Sequence, residues 1–192
     1  MSEPVRCPWS TCDPIYVQYH DTDWGAPIRD GRRLFEKIFL ECAHADLSWI
    51  LILRRRENYR AAFDGFDPAK IAAYDDADIE RLVNDAGIIR NRAKIESAIN
   101  NARAFIEHFS DDEDAFSHYL WSFVGGEPII NHRERLKDIA VTTESSIQMS
   151  KSLKKLGFSF IGPTTCYALM QAAGMVDDHF VTCFRHTNNR PK

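Results

Sequence analysis

The chain has 192 residues, of which 44% are hydrophobic and 11% aromatic, enough for one domain with a packed core. Its formal net charge of −4 argues against nucleic-acid binding through bulk positive charge, but it allows a local basic face. No apolar run approaches a membrane span, and residues 1–6 lack the apolar core of a signal peptide.

The hydrophobic pattern predicts an all-α fold in a single domain over residues 1–192. Helices are expected to begin at Asp13-Pro14 and Asp67-Pro68, because aspartate caps the first turn and proline pre-sets its geometry. The other predicted helices cover about residues 30–43, 48–59, 79–87, 95–106, 119–124, 150–156 and 163–173. Residues 125–143 are polar and predicted to be irregular, and no alternating strand pattern is present.

Cysteine and histidine residues near both ends of the chain form a possible metal site. His179 and Cys183 are four residues apart, and Cys7 and His20 supply a second pair. Two cysteines and two histidines make a complete tetrahedral set for zinc, and such a closed site is structural. Cys12 is an alternative to Cys7, and the plainer interpretation is buried free cysteines with hydrogen-bonded histidines. The five cysteines form no close-spaced disulfide framework, so a reducing cytoplasm is expected.

A glycine-bounded connection at residues 157–165 could bind an anion. Gly162 permits an unusual backbone angle, and the amides of Gly162, Thr164 and Thr165 would point outward at a helix N-terminus. Lysines of the preceding helix add positive charge: Lys151, Lys154 and Lys155. The pattern is similar to a helix-hairpin-helix element, which holds one DNA strand without reading its sequence. An ordinary helix connection with Phe158 and Phe160 in the core is the alternative.

Glu41 lies in an apolar setting at the end of a predicted helix, and buried glutamate is rare without a partner. If Glu41 converges with Trp49, Tyr16 and Tyr19, these residues form a flat slot with one acceptor. Such a slot suits a planar cationic heterocycle. A capped helix end with core aromatics is the alternative interpretation.

Several long motifs carry a family resemblance. They are YHDTDWG (19–25), LSWI (47–50), RENYR (56–60), DAGIIR (85–90), WSFV (121–124) and the stretch 157–171. Through them the chain resembles the 3-methyladenine DNA glycosylase I family over residues 7–183. The resemblance implies an all-helical fold of the helix-hairpin-helix glycosylase superfamily, with the hairpin near residues 150–173. It also implies structural zinc bound by four residues: Cys7, His20, His179 and Cys183.

The resemblance further implies an activity in base-excision repair. The expected substrate is alkylated double-stranded DNA, and the expected reaction hydrolyses the bond between 3-methyladenine and deoxyribose, releasing free 3-methyladenine. In family terms Glu41 is the catalytic carboxylate, Trp49 stacks on the base, and Leu47 wedges into the gap left by the flipped nucleotide. The other implied site residues are Tyr16, Tyr19 and Trp9 for the base, and Gly162, Thr164 and Thr165 for the DNA backbone. A monomer without a membrane partner is expected.

One segment departs from the family pattern. The family usually has Leu-Glu-Gly-x-Gln-Ala-Gly-Leu-Ser-Trp over residues 40–49. This chain has Cys42 and Asp46 at the two glycine positions and His44 at the glutamine position. Asp46 places negative charge where DNA phosphates are expected. One alternative function is therefore a relative that binds modified bases or DNA without efficient cleavage. A zinc-dependent hydrolase is another alternative, but it would need an open metal position.

Overall fold

A computed structural model describes residues 3–11, 13–110, 112 and 114–189 of the protein. The helices are α1 Pro14–Thr22, α2 Gly31–His44, α3 Trp49–Leu53, α4 Arg56–Ala62, α5 Pro68–Ala72, α6 Asp76–Val83, α7 Arg92–Phe109, α8 Ala115–Ser122, α9 Glu144–Lys155 and α10 Pro163–Ala172. Short 3₁₀ helices lie at Pro8–Ser10, Asp64–Phe66, Leu136–Asp138 and Thr187–Asn189. The predicted all-α class is confirmed for the part of the chain that is described.

The two Asp-Pro pairs start helices as predicted. In α1 the Asp13 carboxylate accepts a hydrogen bond from the amide of Ile15, and in α5 Asp67 accepts one from Ala69. A proline at the first helical position costs no hydrogen bond, because the first amides of a helix have no partner within it. These starts are therefore decided by a few consecutive residues.

Two predicted helix boundaries were wrong. The expected helix over residues 48–59 is divided into α3 and α4, and the Arg56 guanidinium at the start of α4 contacts Glu36 and Asp23 at 2.8 Å and 2.6 Å. The helix expected from residue 150 begins six residues earlier as α9. Its first turn is closed by a reciprocal pair in which Thr143 and Ser146 bond to each other's backbone amides.

Helix α2 runs through the centre of the core. Leu34, Phe35 and Ile38 are almost completely buried, and α2 packs against α7, α8 and α10. The rings of Phe35 and Phe105 meet edge to face, with 5.0 Å between their centroids. A helix buried on most of its surface is held rigidly, so the side chains at its C-terminal end have fixed positions.

A pair of two-residue strands was not predicted. β1 Ile129–Ile130 pairs in parallel with β2 Val176–Asp177, and a bridge between Arg133 and Phe180 extends the pairing. Beyond it the amide of Phe184 donates to the carbonyl of Val5 at 2.9 Å. These backbone bonds bring the segment after β2 against the segment before α1. Among the residues that the structure describes, no helix is long and apolar enough to cross a membrane.

Candidate active site

An aromatic cavity of about 300 Å³ is lined by residues from α1, α2, α3 and α10. It brings together the five residues predicted for base binding and catalysis: Trp9, Tyr16, Tyr19, Glu41 and Trp49. The remaining lining residues are Trp24, His44, Leu136, Ile139, Ala168 and Gln171. His44 had been noticed only as a departure from the family pattern. Trp24, Ala168 and Gln171 belong to motifs that carry the family resemblance, but the sequence did not assign them to the pocket. Leu136 and Ile139 carry no such signal.

The rings of the cavity pack against one another in pairs. Tyr19 and Trp49 are tilted by 47° with 5.4 Å between their centroids, and Trp9 meets Tyr16 edge to face at 5.7 Å. The hydroxyl of Tyr16 accepts a hydrogen bond from the amide of Ile50 at 3.1 Å, which joins α1 to the first turn of α3. Aromatic pairs of this geometry add stability beyond their buried area. The walls of the cavity are therefore fixed before any ligand enters.

Glu41 supplies the carboxylate of the cavity and is 5% exposed. Its Oε2 lies 3.5 Å from Nδ1 of His44, one turn later on α2. Burial, reinforced by the charges of Glu41 and Asp23, raises the pKa of Tyr19 well above its ordinary value, so Tyr19 remains protonated. The indole Nε1 of Trp49 is buried without a hydrogen-bond partner among the described residues. An unpaired buried donor costs free energy that a bound acceptor would recover.

A buried charge network lies beside the cavity. The Lys37 ammonium is 2.8 Å from Asp23 and 5.3 Å from the centre of the Tyr19 ring. Asp23 also contacts Arg56, which reaches Glu36. These residues belong to α2 and to two of the motifs that carry the family resemblance, but the sequence had suggested no role for Asp23, Glu36 or Lys37. Their contacts fix α1, α2 and α4 relative to one another.

Three predicted metal ligands lie close together and are buried. The ligand atoms of Cys7, His20 and Cys183 are all within 4.8 Å of one another. His179 stands beside them, with 5.3 Å between its ring centroid and that of His20, and its Nε2 is buried without a hydrogen-bond partner among the described residues. The competing candidate, Cys12, lies outside the described residues.

Both histidines are oriented by carboxylates. Nδ1 of His20 lies 2.8 Å from Asp21, and Nδ1 of His179 lies 2.8 Å from Asp177, which leaves Nε2 of each ring for another partner. Nε2 of His20 lies 3.4 Å from the sulfur of Cys183. Carboxylates in this position are the usual partners of histidines that bind zinc. Gly25 allows the ring of His179 to approach, since a Cβ at Gly25 would lie 2.4 Å from Cε1 of that ring.

Hydrogen bonds to the sulfurs of Cys7 and Cys183 favour a thiolate at this site. The backbone amides of Phe180 and Arg185 donate to the sulfurs of Cys7 and Cys183, each at 3.4 Å. The hydrogen bond from Cys7, helped by His20 and the Arg185 amide, lowers the pKa of Cys183 to about 4. A thiolate beside two oriented imidazoles, one with an unpaired nitrogen, fits zinc as the donor set predicts.

The two aspartates after α10 have distinct partners. Asp177 binds His179 and the backbone and side chain of Thr187. Although burial opposes it, these hydrogen bonds lower the pKa of Asp177 below its ordinary value. Asp178 accepts hydrogen bonds from Arg133, Tyr167 and Gln171, as well as from Asn131. Of these four described partners of Asp178, Gln171 is the one that lines the cavity.

The hairpin between α9 and α10 differs in detail from the prediction. Gly162 has φ of −73°, an ordinary value, so the expectation of an unusual angle there was wrong. Positive φ occurs at Gly157 and Phe160 instead. Phe158 is buried as expected of a core residue, but Phe160 is 43% exposed. Asn101 of α7 holds the turn, because its amide bonds to both the backbone NH and the carbonyl of Ser159.

The N-terminus of α10 is open. Gly162 caps it without any side-chain hydrogen bond in the described part of the chain, and Thr164 in the first turn is exposed while Thr165 is half-buried. In the part of the chain that the structure describes, no atom lies within 4 Å of the place a Cβ at Gly162 would take. The free amides of the first turn are thus accessible to an anion.

The segment that departs from the family pattern is divided between two environments. Asp46 has φ of +63°, a conformation that favours glycine, and Leu47 packs partly against the core. Lys94 of α7 closes the end of α2, donating to the carbonyls of Ala43 and Ala45. Cys42 does not line the aromatic cavity; it contacts Asn101 and Ser159, so it joins α2 to the hairpin.

Comparison with known proteins places this geometry in a family. The family model described as methyladenine glycosylase matches residues 9–186. The chain is 48% identical to DNA-3-methyladenine glycosylase 1 of Escherichia coli (strain K12) over 186 residues, covering 97% of this chain and 99% of that protein.

Solved structures agree with this match. A crystal structure of 3-methyladenine DNA glycosylase I has a TM-score of 0.92 and 48% identity, and the match covers 95% of this chain and 100% of that one. A variant of 3-methyladenine DNA glycosylase I in complex with 3-methyladenine has a TM-score of 0.89 and 37% identity, with 97% and 98% of the two chains covered. The sequence, the fold and the aromatic cavity together show that this chain belongs to the methyladenine glycosylase family.

Proposed function

We propose that this protein is a base-excision repair glycosylase that hydrolyses the bond between 3-methyladenine and deoxyribose in alkylated DNA. The observation that carries the proposal is the aromatic cavity containing one buried carboxylate, Glu41. Relatives named for this activity match nearly the whole chain. The partners of the reaction are alkylated double-stranded DNA and the free base that is released.

The cavity suits a base that carries a positive charge. The target nucleotide leaves the base stack, because the glycosidic bond is inaccessible inside the duplex. Methylation at N3 makes the base a cation, which the faces of Tyr19 and Trp49 attract. Glu41 can accept hydrogen bonds from the N–H groups of this base. Because Glu41 is almost completely buried, its attraction to the base is stronger than in bulk solvent.

Little acid catalysis is needed for this substrate. When the glycosidic bond breaks, its electron pair moves to the cationic base, which leaves as a neutral molecule. Water adds hydroxide to the sugar carbon and gives its other proton to solvent. Glu41 supports both the bound cation and the positive charge that develops on the sugar. Asp177 and Asp178 are engaged by other side chains, and we assign them no step in the reaction.

We further propose that Cys7, His20, His179 and Cys183 bind a structural zinc ion. Support comes from the buried cluster of ligand atoms and from the unpaired Nε2 of His179. Four protein ligands would leave no open position for substrate. The ion would tie the segment before α1 to the segment after β2, and so hold Trp9 and α1 at the cavity.

For DNA binding, we propose that the hairpin between α9 and α10 acts as the helix-hairpin-helix element. The uncapped amides at the start of α10, including that of Thr164, would bind a phosphate, and the exposed Lys151 and Lys154 add positive charge. The turn carrying Leu47 would enter the gap left by the flipped nucleotide. Its partial burial supports a wedge that is held by the core.

The deciding experiment is release of free base from alkylated duplex DNA. We expect the parent protein to release 3-methyladenine and Glu41→Gln to do so at least about a hundredfold more slowly, since a buried charge that meets a cation is lost. Glu57→Gln is the matched control, because Glu57 is 78% exposed on α4 and does not line the cavity. Equal rates for Glu41→Gln and the control would remove Glu41 from the site.

The second candidate function is a relative that binds modified bases or DNA without efficient cleavage. Asp46 favours it, because this residue carries negative charge on the turn proposed to enter DNA. If folded, zinc-loaded protein binds methylated DNA but releases no base, the glycosylase proposal is wrong and this second function takes its place.

A further inference from the structure

His44 introduces a titratable group into the proposed base pocket. The family pattern that residues 40–49 resemble has glutamine at this position, whereas here an imidazole lines the cavity. Its Nδ1 lies 3.5 Å from Oε2 of Glu41, and its ring meets Trp49 edge to face with 5.4 Å between centroids. The side chain is 29% exposed, so its protons exchange readily with solvent.

Histidine changes charge near neutral pH, whereas glutamine is uncharged throughout. We propose that His44 makes capture of the cationic base pH-dependent: the neutral imidazole leaves Glu41 available to the base, and the imidazolium pairs with Glu41 and repels the base. This inference rests on the proposed function and extends it to regulation of the same pocket by pH.

Other titratable groups around His44 do not duplicate this effect. They are Tyr16 and Tyr19 from α1, Asp46 from the following turn, and Lys94 from α7, which donates to the carbonyls on both sides of His44. Trp49 of α3 carries no charge, nor do the lining residues from α10 and from residues 136–139. All these groups are unchanged in His44→Gln, so the comparison with that variant isolates the imidazole.

The sign of the effect follows from where the positive charge lies during the reaction. The bound base is a cation, and in the transition state the charge is shared between base and sugar. Both states are therefore repelled by a protonated His44, and both lose part of the attraction of Glu41. The parameter kcat/KM compares the free enzyme and substrate with the transition state, so it must fall when His44 is protonated.

The test measures kcat/KM for release of 3-methyladenine from alkylated duplex DNA, between about pH 5.5 and about pH 8.5 at constant ionic strength. The wild type and His44→Gln are each normalised to their own value at the alkaline end. We expect kcat/KM of the wild type to fall about tenfold more than that of His44→Gln toward the acidic end. Loss of zinc ligands or of the Glu41 charge in acid would affect both proteins and would cancel in the comparison.

Base release with superimposable pH profiles for wild type and His44→Gln would overturn this inference alone. No release by either protein at any pH would overturn the proposed function as well.

Discussion

Replacing Gly25 by alanine tests whether the ring of His179 is held where the proposed zinc site requires it. Gly25 has φ of +71°, and a Cβ there would lie 2.4 Å from Cε1 and 3.2 Å from Nδ1 of His179. A clash of this length forces the ring of His179 to move, and the movement is costly because His179 is buried and bonded to Asp177. The ring would then lose the position beside His20 that the proposed zinc site requires.

The loss of unfolding free energy caused by Gly25→Ala has two contributions, from backbone strain and from the clash with His179. A matched control variant separates them. Gly125 has the same φ of +71°, but a Cβ there meets no atom of the described residues within 4 Å. Gly125→Ala should therefore cost only the left-handed conformation of alanine, about 1 kcal/mol in the free energy of unfolding. Gly25→Ala should cost about 3 kcal/mol, because displacement of His179 also breaks its buried hydrogen bond to Asp177.

The assays are urea unfolding and measurement of zinc per protein chain. Gly25→Ala should have a lower unfolding midpoint than Gly125→Ala and should retain less zinc, whereas Gly125→Ala should retain the parent amount. Equal losses of stability in the two variants, with equal zinc content, would refute the argument that Gly25 makes room for a metal-binding His179.

Three further predictions follow from other contacts. Cys183→Ser should lower zinc content and thermal stability together; loss of activity at unchanged stability would contradict a structural role for the ion. Asp46→Gly should raise stability by about 1 kcal/mol and strengthen DNA binding most at low salt, measured by DNA titration at several ionic strengths. Weaker binding would mean that the electrostatic effect of Asp46 on Lys94 matters more than its repulsion of DNA. Asp23→Asn should cost about 3 kcal/mol at neutral pH, because it leaves Lys37 buried without its anion. Burial raises the pKa of Asp23, but Lys37 and Arg56 outweigh burial and lower the pKa below 3.8. The stability that the Asp23 carboxylate contributes is therefore present above about pH 4 and is lost as the pH falls through the lowered pKa. Urea unfolding of the wild type and Asp23→Asn should show their difference in free energy of unfolding shrinking in acid. A difference that stays constant with pH would contradict the ion pair between Asp23 and Lys37 as its source.

The departures from the family pattern do not act at one place. His44 lies in the cavity, Cys42 contacts the hairpin, and Asp46 lies in the turn after α2. The sequence showed that all three positions differ, but neighbouring positions on a helix face different directions. Only the packing of α2 against α7 and the hairpin shows which substitution meets the base and which meets the scaffold.

The sequence by itself determined the helical class, the helix starts at Asp13 and Asp67, and the identity of the residues proposed for the base site. These depend on local capping, on hydrophobic periodicity and on motifs, all of which are written in consecutive residues. The tertiary structure decided the break between α3 and α4, where the ion pairs of Arg56 reach helices distant in sequence. It also decided the pairing of β1 with β2 and the approach of Trp9 and Gln171 to one cavity. Such contacts join segments far apart in the chain, and no local pattern specifies which distant partner a side chain will meet.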